Sequence, residues 1–156
     1  MDFTLPTRWP LVPVDVAAFY LDRLPEEVVR DCDSLWAWDI SSGGAQRRQL
    51  RLWRDSLIAL RNPAGQQDIP GDVDQVIDRF LPRRGLRGRE LQQLFFCTAQ
   101  HMVALEAAGV FDVERERQAV RGPTSSRIYT RESIREFLKT RATSQAPLPF
   151  HPDSRN

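Results

Sequence analysis

The amino-acid sequence predicts a mostly α-helical fold in which a helical N-terminal region precedes a smaller unit with a short β-wing. The evidence for the smaller unit is the spacing of apolar residues over two stretches. Residues 90–111 read as two short helices joined by a tight turn, and residues 126–141 read as a short strand that runs into a third helix. This order of elements is that of a winged helix-turn-helix.

The N-terminal region begins with a proline-containing stretch, residues 1–13, which we expect to be an extended arm. Helices are then predicted between the breaks that proline, glycine and serine introduce. Their ranges are 14–24, 25–36, 45–61 and 72–80. The third is the most regular, because Leu50, Trp53, Leu57 and Leu60 follow helical spacing. That stripe fits either the core or a dimer seam. No internal repeat is visible in the sequence.

The helices of the smaller unit carry local start and stop signals. Thr98 is expected to be the N-cap of the second helix, because its hydroxyl can accept a hydrogen bond from a free amide one turn on. Gly109 suits a left-handed C-terminal position, and Thr130 is expected to cap the last helix. The residues expected to form one core are Leu91, Leu94, Met102, Leu105, Ile134, Phe137 and Leu138.

These residues resemble a known family over about residues 88–141. The pattern is similar to the excisionase-type helix-turn-helix of the MerR superfamily, which is also found in phage regulators. The matching positions are Glu90, Leu91, Leu94, Phe95, Thr98, Met102, Leu105, Gly109, Arg127-Ile128-Tyr129, Thr130-Arg131-Glu132 and Phe137-Leu138. The resemblance implies a winged helix-turn-helix that binds double-stranded DNA, with the second helix in the major groove.

The resemblance also implies which residues contact DNA. Thr98, Gln100 and His101 lie in the first turn of the second helix, where a recognition helix meets base edges. Gln100 can pair with adenine through two hydrogen bonds. The other expected contacts are with the backbone or the minor groove, and they come from the wing residues Arg121 and Arg127 and from Arg131.

The sequence departs from the family pattern at two places. The turn position that is usually glycine is Phe96. Because Phe resists a positive φ, we expect either a different turn or a ring that packs on the N-terminal half. In addition, residues 99–108 contain no Arg or Lys, so this helix gains little from phosphate neutralisation.

Charge is distributed unevenly along the chain. Residues 83–141 contain twelve basic and seven acidic side chains, a balance of +5, whereas residues 1–82 contain nine basic and thirteen acidic ones, a balance of −4. The net charge of +1 conceals this difference. A basic half indicates a polyanionic partner. The alternative is a solvated surface in a protein that uses arginine for nearly every cation.

Several functional classes have little support in the sequence. No apolar run is long enough for a membrane span, and the N-terminus lacks the pattern of a secretory signal. Cys32 and Cys97 are interpreted as buried free thiols of a cytoplasmic protein. No phosphate-binding loop or metal-ligand spacing is present, so the sequence predicts no cofactor, no metal and no enzymatic activity.

The sequence thus predicts a helical region at residues 1–82, a winged helix-turn-helix at 83–141 and a disordered tail at 142–156. The expected function is DNA binding by an excisionase or MerR-like regulator or architectural factor. A homodimer or tandem oligomer is expected, because one weakly basic unit binds poorly alone. The alternative is a protein-protein interaction module, with a partner on the acidic N-terminal half and the helix-turn-helix as a scaffold.

Overall fold

The computed structural model describes residues 9–30, 35–42, 48–61, 69–111, 113–115 and 127–143, with only the backbone described at 113–115 and 127. These residues form a mixed α/β fold that is mostly helical. Their strands form two three-stranded antiparallel sheets. The mostly helical class is therefore confirmed, but the N-terminal region contains a sheet that the sequence did not indicate.

The N-terminal unit spans residues 11–61, and its third strand is central. Strand β3 pairs antiparallel with β1 on one side and with β2 on the other. The elements of this unit are β1 (Leu11–Pro13), α1 (Val14–Leu21), α2 (Pro25–Arg30), β2 (Ala37–Asp39), β3 (Leu50–Trp53) and α3 (Arg54–Arg61).

The C-terminal unit spans residues 86–141 and is preceded by helix α4 (Val73–Phe80). Its central strand is β6, which pairs antiparallel with β4 and β5. The elements of this unit are β4 (Leu86–Arg87), α5 (Gly88–Phe95), α6 (Ala99–Ala107), β5 (Val113–Arg115), β6 (Arg127–Tyr129) and α7 (Arg131–Arg141). The two helices joined by a turn, the strand and the last helix match the sequence prediction.

The two units repeat one topology. Each runs strand, helix, helix, strand, strand, helix, and in each the third strand lies between the other two. The register also agrees. Val12 pairs with Leu52 one residue before the end of β1, as Leu86 pairs with Tyr129 one residue before the end of β4. The structure therefore contains a tandem repeat of which the sequence shows only a short trace.

The repeat extends to single hydrogen bonds at the helix ends. The residue after α1, Asp22, has φ 55°, and the residue after α5, Phe96, has φ 52°. The next amide closes the turn in both units: Arg23 donates to the Ala18 carbonyl at 3.0 Å, and Cys97 donates to the Gln92 carbonyl at 3.1 Å. Equivalent positions thus adopt the same backbone conformation with unrelated side chains.

The last helix of each unit begins in the same way. The Ser56 hydroxyl donates to the Trp53 carbonyl at 2.6 Å, and the Ser133 hydroxyl donates to the Thr130 carbonyl at 3.1 Å. The residue after each serine, Leu57 or Ile134, is fully buried. The segments Arg54-Asp55-Ser56-Leu57 and Arg131-Glu132-Ser133-Ile134 are the clearest trace of the repeat in the sequence.

The predicted helix over residues 45–61 is wrong in its first half. Residues 50–53 are the central strand β3, and the helix begins only at Arg54. Leu50, Trp53 and Leu57 fit a helical stripe as well as they fit a strand followed by a helix. Pairing on both edges of β3 favours the strand, because tertiary context outweighs local preference. These three side chains are buried within the molecule, so the dimer seam is also wrong.

The predicted helix over residues 25–36 is also too long. Helix α2 ends at Arg30, and Leu35 and Trp36 are buried outside any helix, just before strand β2. Val29, expected on the buried face, is 42% exposed. Helix α4 confirms the prediction for residues 72–80, although the Asp72 side chain makes no capping hydrogen bond.

One face of the first sheet packs against the helices of its own unit, and the other face packs against the rest of the protein. Val12, Ala37 and Leu52 belong to a core confined to the N-terminal unit. Their strand neighbours Leu11, Trp38 and Trp53 belong to a second core. That second core also holds the expected C-terminal residues, namely Leu91, Leu94, Met102, Leu105, Ile134, Phe137 and Leu138. Alternation along each strand therefore joins the two units.

The chain after α7 returns to the first sheet. Ala142 forms an antiparallel bridge with Trp38 in the edge strand β2, and the Thr143 amide donates to the Ala37 carbonyl at 2.9 Å. Residues more than 100 positions apart in sequence thus close the edge of the N-terminal sheet.

Candidate nucleic-acid interface

The turn between α5 and α6 is held by the N-terminal unit. Phe96 has a left-handed backbone, with φ 52° and ψ 55°, so the expectation that Phe would avoid this conformation is wrong. The ring contacts Trp9 edge to face, with centroids 4.7 Å apart, which agrees with the expected packing against the N-terminal half. This ring contact helps to offset the cost of a left-handed backbone at a residue with a Cβ atom.

Arg51 of β3 stabilises the same turn. Its Nε donates to the Phe95 carbonyl at 2.8 Å, and its Nη2 donates to the Phe96 carbonyl at 3.0 Å. These carbonyls lie at the C-terminal end of α5, where the helix leaves acceptors unpaired and the helix dipole favours a cation. Arg51 therefore couples the position of the turn to the first sheet.

The first turn of α6 contains three predicted contact residues, and they differ in surroundings. Thr98 is the N-cap, because its hydroxyl accepts from the His101 amide at 3.1 Å. Gln100 is exposed. The His101 ring is half-buried, and its Nε2 lies 2.6 Å from the carbonyl oxygen of Ile40, so it donates there. Only Gln100 presents its polar side chain outward without a described structural bond.

The outward face of α6 is small and uncharged. Ala99, Gln100, Val103 and Ala107 are all exposed, and Val103 is 66% exposed. The inward residues Met102 and Leu105 are buried. Glu106 lies to one side, where one of its carboxylate oxygens accepts a hydrogen bond from the Tyr129 hydroxyl at 3.1 Å. The outward face of α6 therefore consists of apolar and amide groups.

A cleft of about 670 Å³ lies beside this first turn. Both units contribute to its walls: Trp9, Gln49 and Arg51 come from the N-terminal side, whereas Arg89, Gln93 and Thr98 come from α5 and the start of α6. Arg89 is exposed. The cleft thus brings an exposed cation next to the N-terminal end of α6.

Exposed arginines lie just before α5 and in its first turn. Arg83, Arg84, Arg87 and Arg89 are all exposed. Arg84 forms an ion pair with Glu90, which raises the pKa of Arg84 and lowers that of Glu90. Glu90 also makes a structural hydrogen bond. Its Oε1 accepts from the Arg87 amide at 3.1 Å, and this bond fixes the start of α5. This arginine-rich strip is a basic surface that reaches the cleft beside α6 through Arg89.

Arg131, expected to contact a phosphate, bonds to α4 and to the segment that follows it. Its Nε donates to the Pro82 carbonyl at 3.0 Å, and its Nη2 lies 2.9 Å from Oδ1 of Asp78. Arg135 also binds Asp78, at 3.2 Å. The hydrogen bond from Arg135, followed by that from Arg131, lowers the pKa of Asp78 below its ordinary value despite slight desolvation. The positive charge of α7 is therefore partly neutralised within the protein.

The wing is only partly described. Arg127 begins strand β6, and its backbone pairs with Arg115. Its side chain and all of Arg121 lie outside the described residues. The hairpin of β5 and β6 nevertheless follows α6 directly, in the position where a wing was predicted.

Comparison of the chain with family models, with curated proteins and with solved structures finds no match.

The half-buried Cys97 thiol lies in the cleft wall, and burial raises its pKa to about 11, although Arg51 acts in the opposite direction. The thiol is therefore protonated at neutral pH and is a poor nucleophile. Within the described ranges, no cluster of three or more His, Cys, Asp or Glu side chains could hold a metal ion. In the same ranges, no helix is long and apolar enough to cross a bilayer.

Sequence reasoning missed two residues of this surface. The helix predicted over residues 45–61 would put Arg51 on its polar face, and only the pairing of β3 brings it to the turn. Val103 adjoins the buried Met102 in sequence, and its apolar side chain alone would suggest burial. The helical arrangement of residues 99–107 nevertheless indicates its exposure. Successive residues are about 100° apart around the helix axis, so Val103 lies to the side of the buried Met102.

Proposed function

We propose that the C-terminal unit is a winged helix-turn-helix that binds double-stranded DNA, as an excisionase or MerR-like regulator or architectural factor does. The observation that carries this proposal is the order of β4 to α7 together with the central position of β6. That arrangement leaves α6 with an outward face next to a β-hairpin, which is how a recognition helix and a wing meet DNA.

The basic strip supports the same proposal. Phosphate contacts dominate the affinity of most DNA-binding proteins, and they come from side chains near the recognition helix. Arg83 and Arg89 are exposed, and Arg89 lines the cleft beside Thr98. We therefore assign backbone contact to these arginines and to the wing residues Arg121 and Arg127, with Gln100 as the residue that reads base edges.

The structural bonds of His101 and Arg131 give these residues a different role in the proposal. His101 attaches α6 to Ile40 of the N-terminal unit, and Arg131 attaches α7 to α4. Both set the position of the DNA-binding elements. The N-terminal unit is then a brace, since its Arg51 holds the α5–α6 turn. Because α6 carries no cation, we expect tight binding to require two copies on one DNA.

The test is the salt dependence of binding to a fluorescently labelled duplex, followed by anisotropy. Replacing Arg83 and Arg89 by Ala should weaken binding to all sequences and lower the salt slope by about 1–2 units, because each phosphate contact releases about one counterion. The matched control replaces Arg30 and Arg79, which are exposed in α2 and α4, and should retain the slope. Absence of binding to any duplex at low salt would refute the proposal.

A second candidate is a protein-binding module, and an observation on the N-terminal unit favours it. Leu24 is 62% exposed and Val29 is 42% exposed, on either side of the acidic first turn of α2. An apolar pair with adjacent carboxylates suits a partner with a basic, apolar surface. Two results together would support this candidate. The chain would not bind DNA at low salt, and replacing Leu24 and Val29 by Ser would abolish its capture of a protein.

A further inference from the structure

The outward face of α6 has a chemistry that a phosphate-binding surface does not need. Ala99, Val103 and Ala107 are spaced by four residues, so they form one exposed line along the helix. Gln100 lies beside this line, one turn before Val103. The line carries no charge, and Val103 leaves 66% of its surface exposed although a smaller or polar residue would cost the core nothing.

We propose that this face reads A·T base pairs, with Gln100 on an adenine and Val103 on the C5-methyl group of a thymine. This inference rests on the proposed DNA binding by the C-terminal unit and specifies the base pairs involved. Thymine places an apolar methyl group in the major groove, and small apolar side chains contact it. The Gln amide can both accept a hydrogen bond from adenine and donate one to it. Gln100 and Val103 therefore both favour an A·T base pair.

The geometry of the helix sets the spacing of the two contacts. Gln100 and Val103 are three residues apart, which is about 4.5 Å along the helix axis. Successive base pairs are about 3.4 Å apart. The adenine and the thymine methyl group therefore belong to neighbouring or next-neighbouring base pairs, and the preferred site contains a short A·T step. Ala107 lies further along the line, towards the end of the helix.

Charge complementarity argues for DNA as the occupant of this face. The uncharged line is flanked at the N-terminal end of α6 by the exposed Arg89, across a shared cleft with Thr98. A groove floor lined with methyl groups and bordered by phosphates has the matching distribution: apolar at the centre and anionic at the edge. Glu106, the one acidic residue of α6, is turned to Tyr129 and away from this line.

The experiment first selects bound duplexes from a randomised pool with the wild-type chain, and then replaces each thymine of the selected site by deoxyuridine, one at a time. Deoxyuridine preserves base pairing and removes only the methyl group. We expect one or two positions at which this weakens wild-type binding by about fourfold, the equivalent of one methylene-sized group removed from water.

The variant Val103→Ala closes the thermodynamic cycle. At the same positions its affinity should no longer depend on the methyl group, because the partner of that methyl group is gone. Val103 is exposed, so the thermal midpoint should be unchanged. Gln100→Ala is the matched variant: it should lose preference for adenine and keep its sensitivity to the thymine methyl group.

Two outcomes separate failure of this inference from failure of the proposed function. A chain that selects and binds a duplex, but shows the same affinity for every deoxyuridine substitution, binds DNA without reading thymine and overturns the inference. A chain that binds no duplex at low salt overturns the proposed function itself. If Val103→Ala then abolishes binding of a protein instead, α6 is a protein-docking helix.

Discussion

The two units share a backbone plan and differ in almost everything that a partner would touch. Both place a left-handed residue after an eight-residue helix, and both start their last helix with a serine bonded to the carbonyl three residues before it. Yet α2 opens with Pro25, Glu26 and Glu27, whereas α6 opens with an uncharged turn capped by Thr98. The comparison shows that buried positions preserve the topology while exposed positions give the two units different surface chemistry.

The outward faces of the two sheets differ in the same way. In the N-terminal unit, Leu11 and Trp38 point away from their own helices and are buried in the core shared with the C-terminal unit. In the C-terminal unit, Arg87, which corresponds to Pro13 on the same face of the first strand, is exposed. One sheet is therefore an internal interface, and the other keeps a polar surface. A tandem copy can thus become a structural brace without any change of fold.

The largest expected effect tests whether the units unfold together. Ile134→Ala in the C-terminal unit should cost about 2–5 kcal/mol, because the side chain is fully buried. All the tryptophans of the chain precede α3: Trp9, Trp36, Trp38 and Trp53. In urea unfolding, tryptophan fluorescence and far-UV circular dichroism should shift by the same amount.

Leu57→Ala, at the equivalent position of the N-terminal unit, is the matched variant. It should destabilise the same single transition. If Ile134→Ala changes the circular dichroism transition and leaves the fluorescence transition in place, the units unfold independently and the N-terminal unit is not a brace.

An intermediate effect tests how the two turns are held. Arg51→Met should cost about 1–3 kcal/mol, because carbonyls at the end of α5 lose a charged donor. Amide hydrogen exchange localises the effect. Exchange at Cys97, which donates to Gln92, should accelerate, while exchange at Arg23, which makes the same bond in the N-terminal unit, should not. Equal acceleration at both amides would mean that Arg51 supports the sheet and not the turn.

The smallest expected effect concerns an ion pair that differs between α3 and α7, the last helices of the two units. Arg54 pairs with its neighbour Asp55, whereas the equivalent Arg131 pairs with Asp78 of α4. Because the pKa of Asp78 is lowered in the folded state, its contribution is present above the unfolded pKa of about 3.9 and is lost as the pH falls through the folded value.

Asp78→Asn should therefore reduce stability at pH 7 by about 0.5 kcal/mol, since the carboxylate is largely exposed. The wild type and the variant should converge as the pH falls below the folded pKa of Asp78. Urea midpoints at pH 7, 5, 4 and 3 measure this difference. A constant gap across that range would exclude the ion pairs as its cause.

The sequence predicted the C-terminal helices because their signals are local. Thr98 and Thr130 both accept the expected capping hydrogen bonds, and Gly109 has φ 72°. Strand β3 was not predictable in this way. Its apolar spacing fits a helix, and its conformation depends on hydrogen bonds to β1 and β2, which lie far away in sequence.

The residues of the candidate site differ in the same way: some follow from local sequence, and others depend on contacts that are distant in sequence. The exposure of Gln100 follows from its position on the side of the helix opposite Met102 and Leu105, so the sequence sufficed. The bond from His101 to Ile40 spans 61 residues, and the contact of Arg51 with Phe96 spans 45. Such contacts exist only after both units have folded. The role of a side chain at this junction therefore could not be predicted from its neighbours in sequence.

The closure of the first sheet by residues 142 and 143 has a consequence for biosynthesis. Strand β2 exposes backbone amides and carbonyls of its outer edge until Ala142 and Thr143 reach it. A ribosome produces the N-terminal unit first, and the segment that covers this edge last. During that interval the nascent chain carries an open strand that other chains can join. Docking of residues 142 and 143 ends the exposure, so the segment after α7 protects this strand edge from pairing with other chains once the C-terminal unit has folded.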